Sequence, residues 1–258
     1  VLIAALVLVW LVALFYRHEL RSHWWAYRLQ QADDPLVRAY YLPRLAAMGE
    51  HGLGALDRLL RDPRPQNREA GVAVLHYCTS EEARERLLHV LLNDPDESVA
   101  EKAALELALR KDALRSLDDL DDVLFSLAHP TRSRRAAVAI ERIGGAEAKT
   151  ALLEALLTHG GRLDADVCAQ VIDSLAMLGS EDAVPAIRDA LADDRGVTIL
   201  PASQRAAQRA VMALQGDLTR KGVDPGTLLE ASTAAPTVAA VAQRALTLLN
   251  PSPTTAVD

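Results

Sequence analysis

The chain has 258 residues, half of them hydrophobic and only 4% aromatic, and a formal net charge of -7 from 28 basic and 35 acidic side chains. That length allows one extended domain or two compact ones. The negative balance argues against a protein that binds nucleic acid through its phosphate backbone, since such a protein shows a basic face. Leucine and alanine dominate and β-branched runs are scarce after the opening segment, so helices are expected throughout. The two cysteines, Cys78 and Cys168, sit in apolar helical contexts and read as buried thiols rather than a disulfide framework.

Residues 1–16, VLIAALVLVWLVALFY, carry no charge, and Arg17, His18, Glu19, Arg21, His23, Trp24 and Trp25 follow. A membrane-spanning helix needs about 20 apolar residues, with about 17 as the short limit, so residues from upstream would complete a span. The run ends without a small-residue cleavage site, which argues against a signal peptide. The segment 1–25 is therefore read as a transmembrane or interfacial helix. Leu2, Leu6, Trp10, Leu14 and Phe15 would meet lipid, and Trp24 and Trp25 would meet the headgroup layer. Arg17, Arg21 and Arg28 all lie on its C-terminal side, which places the rest of the chain on the cytoplasmic side of the inner membrane. Residues 26–33 read as a linker.

From residue 34 a layout recurs. DPDESVAEKAALELAL begins at Asp94, HPTRSRRAAVAIERIGG at His129 and DADVCAQVIDSLAMLGS at Asp164, each 35 residues after the one before. Earlier copies start at Asp34 and Asp62, and a later one covers residues 203–216. Asp and Pro suit a helix start. Apolar residues then recur three and four apart, as in Val99, Ala103 and Leu107, and Gly145 and Gly179 stop their helices. Second helices are expected near 53–61, 81–92, 117–128, 148–157 and 181–192. Pro185 falls in the first turns of the last of these, where its missing N–H costs little. A final helix is expected over 237–249, in a region with few charges, and residues 250–258 read as a flexible tail. Repeats of this length are stacked helix pairs that bury apolar faces only against neighbours.

DPDESVAEKAALELAL, HPTRSRRAAVAIERIGG and the AVPAIRDAL helix resemble the HEAT-repeat family in its short bacterial, phycobilisome-lyase-like form. The family's arginine is kept in Val37-Arg38 and Asn67-Arg68, departs at Glu101-Lys102 and is replaced at residues 168–170. The resemblance implies an all-α chain, an α-solenoid of HEAT-like hairpins over 34–249 preceded by one transmembrane helix. It also implies binding of proteins. The expected function is thus a non-catalytic, membrane-anchored scaffold or accessory subunit of a membrane complex, with no cofactor. The alternatives are a lyase-like enzyme or chaperone acting on a tetrapyrrole-bearing partner, as some relatives of this repeat type do, and a transient regulatory adaptor.

No P-loop, dinucleotide fingerprint, helical HExxH or serine elbow occurs. Three features are candidates for protein binding. Arg132, Arg134 and Arg135 exceed the one arginine a repeat needs and suit carboxylates or lipid phosphates. Asp118, Asp119, Asp121 and Asp122 point away from the apolar face made by Leu117, Leu120 and Leu124, either as a solvated helix start or as an acidic docking patch. Val197, Ile199 and Leu200 lie in the irregular stretch 193–203, which is either packed back on the repeats or a binding element. The weakly charged region 231–249 is a further candidate: either it folds back as a cap or it exposes an apolar end for a partner.

Overall fold

A computed structural model describes residues 17–126, 128–213 and 237–249, with side chains from 208 to 213 left aside. The chain divides into two compact units, Val1–Ala113 and Leu114–Asp258. Among the described residues all regular elements are helices, and the one extended pairing is an isolated bridge between Gly196 and Thr237.

The first unit holds α1 (Arg17–Gln30), α2 (Pro35–Ala46), a 3-10 turn (Gly49–Gly52), α3 (Leu53–Leu60), α4 (Pro65–Leu75), α5 (Glu81–Asn93) and α6 (Glu97–Ala108). Helices α2, α4 and α6 pack side by side as the first helices of successive pairs, with α3 and α5 as the second helices. Leu45, Leu56, Leu59, Leu75, Leu87, Leu91 and Leu107 are fully buried between them. Val99, Ala103 and Leu107 share this inner face, as their spacing predicts. The close approach of α3 and α4 is helped by Gly71, where a Cβ would lie 2.8 Å from a methyl of Leu60 and 3.3 Å from Cβ of Leu59, so Leu60 would have to shift.

The expected boundary between residues 25 and 26 falls inside α1. Ser22, Ala26 and Leu29 form one buried stripe against α2 and α3, so residues 26–30 are part of the packed unit rather than a linker. The apolar run 1–16, with Leu2, Leu6, Trp10, Leu14 and Phe15, lies outside the described residues. Among the described residues no helix is long and apolar enough to cross a membrane.

The second unit holds α7 (Arg115–Leu124), α8 (Pro130–Ile143), α9 (Gly145–His159), α10 (Ala165–Met177), 3-10 turns at Glu181–Ala183 and Ala190–Ala192 flanking α11 (Val184–Asp189), α12 (Ala202–Ala213) and α13 (Val238–Leu249). Helix α8 is buried continuously from Ser133 to Ile140 and α10 from Val167 to Ala176. A helix buried all round sits between neighbours on several sides. For α10 these are α8, α9 and α13, with the start of α12. The break between α8 and α9 comes at Gly144, one residue before the expected stop, where a φ of 71° suits a residue without Cβ.

The C-terminal region takes one of its two expected forms. Val238, Val241, Ala242 and Ala245 are buried, and α13 packs along α10 and α11. Backbone N–H groups of Val238 and Ala239 donate to the carbonyls of Arg195 and Asp193 at 3.0 and 2.9 Å. Over 237–249 the chain folds back against α10 and α11, with Leu248 left 51% exposed on its outer side; residues 231–236 lie outside the described residues.

The Asp-Pro starts also differ from the simple expectation. Asp34 is the N-cap of α2, its carboxylate accepting from Leu36 N–H. Asp62 and Asp94 instead lie two residues ahead of their N-caps and accept from the backbone N–H of Arg64 (2.9 Å) and Asp96 (2.8 Å). A short carboxylate can close such a turn on its own backbone and so spend its remaining oxygen elsewhere. For Asp94 that other partner is an arginine of the preceding pair.

Candidate functional site

Arginines fasten the connections between helix pairs. Arg68 donates to both carboxylate oxygens of Asp94 at 2.8 and 2.9 Å and to the carbonyls of Asp62 and Pro63. Arg38 reaches the carbonyls of Ala32 (3.3 Å) and Gln66 (2.6 Å) and the side chain of Asn67 (2.7 Å). Arg110 closes on the carbonyls of Cys78, Thr79 and Ser80. In the second unit Cys168 stands where an arginine would, and Arg195 reaches back to Leu163 and Gly160 instead. A planar guanidinium with five donors suits this work, because several carbonyls converge on one loop.

This use of arginine corrects the expectation of a basic patch on α8. Arg134 and Arg135 are buried, 2% and 6% exposed, and Arg132 alone of the three is exposed. All three are engaged within the structure. The small residues Ala136, Ala137 and Ala139 bring helices close on more than one side of α8, which draws the long side chains beside them into the interior. The helix does not present three arginines to a partner.

The stretch 193–203 is packed back. Val197 is 5% exposed and so is not offered to a partner, while Ile199 is exposed and Leu200 half-buried. Asp166 accepts from the backbone N–H of Thr198 (2.6 Å) and Ile199 (3.0 Å), and Gln170 accepts from that of Ala202 (2.8 Å). Ser203 donates its hydroxyl to Asp173 at 2.7 Å.

The acidic run fares differently. Asp118, Asp119 and Asp122 are exposed on α7, and Asp121 is half-buried. Asp118 and Asp121 line a groove of about 440 Å³ between α7 and α9 whose opposite wall carries Glu147 and Glu154. Asp119 and Asp122 are not part of its lining. One oxygen of Asp121 is buried without a hydrogen-bond partner. Burial first, and then the charges of Glu154, Asp122 and Asp118, raise the carboxyl of Asp121 above its ordinary range. The two glutamates are seven apart in α9 and thus on one face, but only the pairing of α9 with α7 brings them opposite the aspartates. The sequence carries no signal for that pairing.

A second exposed surface combines aromatic and basic groups on the outer side of α1 and α2. Trp24 and Tyr40 are each 53% exposed, with Leu20, Tyr27, Leu36 and Val37 also outward. Trp24 and Tyr40 both meet Tyr41 edge-on. The guanidinium of Arg44 lies 3.5 Å from the Tyr40 ring centre, and that of Arg28 lies 5.9 Å from Trp24 and 5.6 Å from Tyr41. Trp25 is partly buried and stacks under Arg21 at 5.3 Å. Among the described residues no group of three or more His, Cys, Asp or Glu side chains has the geometry to hold a metal ion.

Comparison with known proteins bears on the repeat rather than on either surface. No curated protein matches the chain. A solved structure of human deoxyhypusine hydroxylase in complex with glycerol superposes over 93% of this chain and 99% of its own, at 17% identity and a TM-score of 0.30. Residues 167–193, which span most of α10, the turn at Gly179 and the AVPAIRDAL helix, match the PBS lyase HEAT-like repeat, so this segment is a HEAT-like repeat.

Proposed function

We propose that this protein is a non-catalytic binding module, an accessory subunit that the apolar run 1–16 holds at the inner membrane with its helical units on the cytoplasmic side. The observation that carries the binding role is the groove between α7 and α9. Four carboxylates face one space there, and among the described residues no ion pair joins any of them to a cation. Carboxylates so crowded repel one another, and a basic segment of a partner would relieve that repulsion. The groove therefore suits a lysine- or arginine-rich helix or loop of another membrane-complex subunit. Arg17, Arg21 and Arg28 beside the apolar run support the orientation.

Two measurements test this reading. Extraction from native membranes in mild detergent should recover partners that Asp118→Lys and Glu154→Lys deplete, with helicity by circular dichroism unchanged. Equal recovery with the parent and both variants would place the interface elsewhere. The purified protein should also be colourless, since a lyase-like role on a tetrapyrrole would leave visible absorption in the bound state.

A further inference from the structure

The outer side of α1 and α2 is built differently from the other exposed surfaces described above. On α1, Leu20, Trp24 and Tyr27 recur four and three apart and lie opposite the buried stripe Ser22, Ala26 and Leu29. On α2, Leu36, Tyr40 and Arg44 recur four apart. Leu36 is 80% exposed and Leu20 59%, a high exposure for two leucines on adjoining helices. Each arginine on this side has its charged end held over a ring: Arg28 by Trp24 and Tyr41, Arg44 by Tyr40. Arg28 also donates to the Tyr41 hydroxyl at 3.2 Å, and Arg44 to the Tyr40 carbonyl at 2.7 Å. Of the carboxylates nearest in sequence, Glu19 is exposed beside Leu20 but lies off the line of Leu20, Trp24 and Tyr27. Asp34 caps α2, and Asp33 is bridged by Arg64 at 3.3 Å.

We propose that this side lies flat on an anionic lipid surface, with Leu20, Trp24, Leu36 and Tyr40 in the headgroup–acyl boundary and Arg28 and Arg44 against lipid phosphates. The proposal rests on the anchored reading above and goes beyond it. An anchor alone would hold the chain near the bilayer at α1, whereas this surface brings α2 down as well. Three observations select lipid over a protein partner. Tryptophan and tyrosine have an apolar body and a polar edge that match the headgroup layer. Each guanidinium is stacked on a ring and bonds once to the protein, Arg28 through Nε and Arg44 through one terminal nitrogen, which leaves further N–H donors of the planar fork for phosphate oxygens. The uncharged run 1–16 leads without interruption into α1, so the surface begins where an apolar segment ends.

The test uses the full chain reconstituted in vesicles of phosphatidylcholine with about one third phosphatidylglycerol, carrying lipids brominated near the headgroup end of the acyl chain. A reporter on α2 is made by Tyr40→Trp in a chain whose Trp10, Trp24 and Trp25 are changed to Phe. A second chain keeps Trp10 alone. Most of the emission of the Tyr40→Trp reporter should be lost to the bromines in these vesicles and retained in phosphatidylcholine alone. Arg28→Glu with Arg44→Glu should restore it, and so should Leu36→Asp, which touches an exposed position and leaves the packing intact. If Trp10 is quenched and the Tyr40→Trp reporter is not, the surface proposal falls and the anchor stands. If neither is quenched, both fall. Quenching of the reporter that is the same in both kinds of vesicle, or unchanged by all these variants, also overturns it.

Discussion

Cys78 and Cys168 are free thiols, 1% and 2% exposed, and burial pushes each up to about 11. A thiol reacts as its thiolate, so both should be inert to a disulfide reagent at about pH 8 in the folded protein and react fully once urea unfolds it. Fast labelling of either one in the native state would contradict this burial. Two carboxyls of the second unit make a pH-dependent counterpart. Burial raises Glu141 above its ordinary range, only partly offset by the Ser174 hydroxyl donating at 2.7 Å. Burial raises Asp173 likewise, against the hydroxyl of Ser203. A raised carboxyl holds its proton to higher pH in the folded chain than in the unfolded one. Its contribution is therefore complete below the ordinary carboxylate range and is lost as pH rises through that range to the raised value. Glu141→Gln should gain stability relative to the parent across that window, read as a growing difference between their urea midpoints. A constant difference would mean that Glu141 is not shifted. The buried thiols were legible from their apolar surroundings in the sequence; the buried carboxyls were not, because Glu141 and Asp173 sit in helical contexts that suit solvated acids equally well.

At the scale of elements, the repeats were readable because helix starts, apolar spacing and glycine stops all point the same way. The second helices 53–61, 81–92 and 181–192 match Leu53–Leu60, Glu81–Asn93 and the run from Glu181 to Ala192 to within a residue. Arg68 and Arg134 look alike in sequence, yet Arg68 clasps the next helix pair while Arg134, expected at the surface, is 2% exposed within the packing of α8. Which side of a helix faces inward is legible only when one side is polar, and α8 and α10 are covered on several sides. The Arg68–Asp94 pair, 6% and 7% exposed, provides the test. Hydrogen bonding to Asp94, its largest influence, raises the Arg68 guanidinium further, which keeps Arg68 charged. Removing one partner of a buried pair leaves the other uncompensated, so Arg68→Ala should cost about 3–5 kcal/mol, whereas Arg68→Met with Asp94→Leu should cost much less. Chemical denaturation of the three chains measures this. A single variant as stable as the parent would show that the pair fastens nothing.

For the molecule as a whole, repeat architecture leaves open how the last pair is covered, since each pair stabilises the next and the final one has no successor. Here the sequence order misleads. After α11 the next helix in the chain is α12, but α13, which comes after residues that the structure does not describe, packs more extensively on α10 than α12 does. Low charge over 237–249 was compatible with either a cap or a sticky end, and only the docking of α13 decides between them. Its inner side is Val238, Val241, Ala242 and Ala245, and Arg244 adds an attraction toward Asp173. Burying a valine contributes roughly 1.5–3 kcal/mol, so the two valines alone are a large share of a typical domain's stability. Ending the chain at residue 236 should therefore lower the melting temperature and uncover α10, seen as new binding of a hydrophobic dye and faster amide exchange over 167–176. Val241→Asp in the full chain should act in the same direction through one buried carboxylate. If the shortened chain instead melts like the parent and keeps α10 protected, then α13 is not the cap.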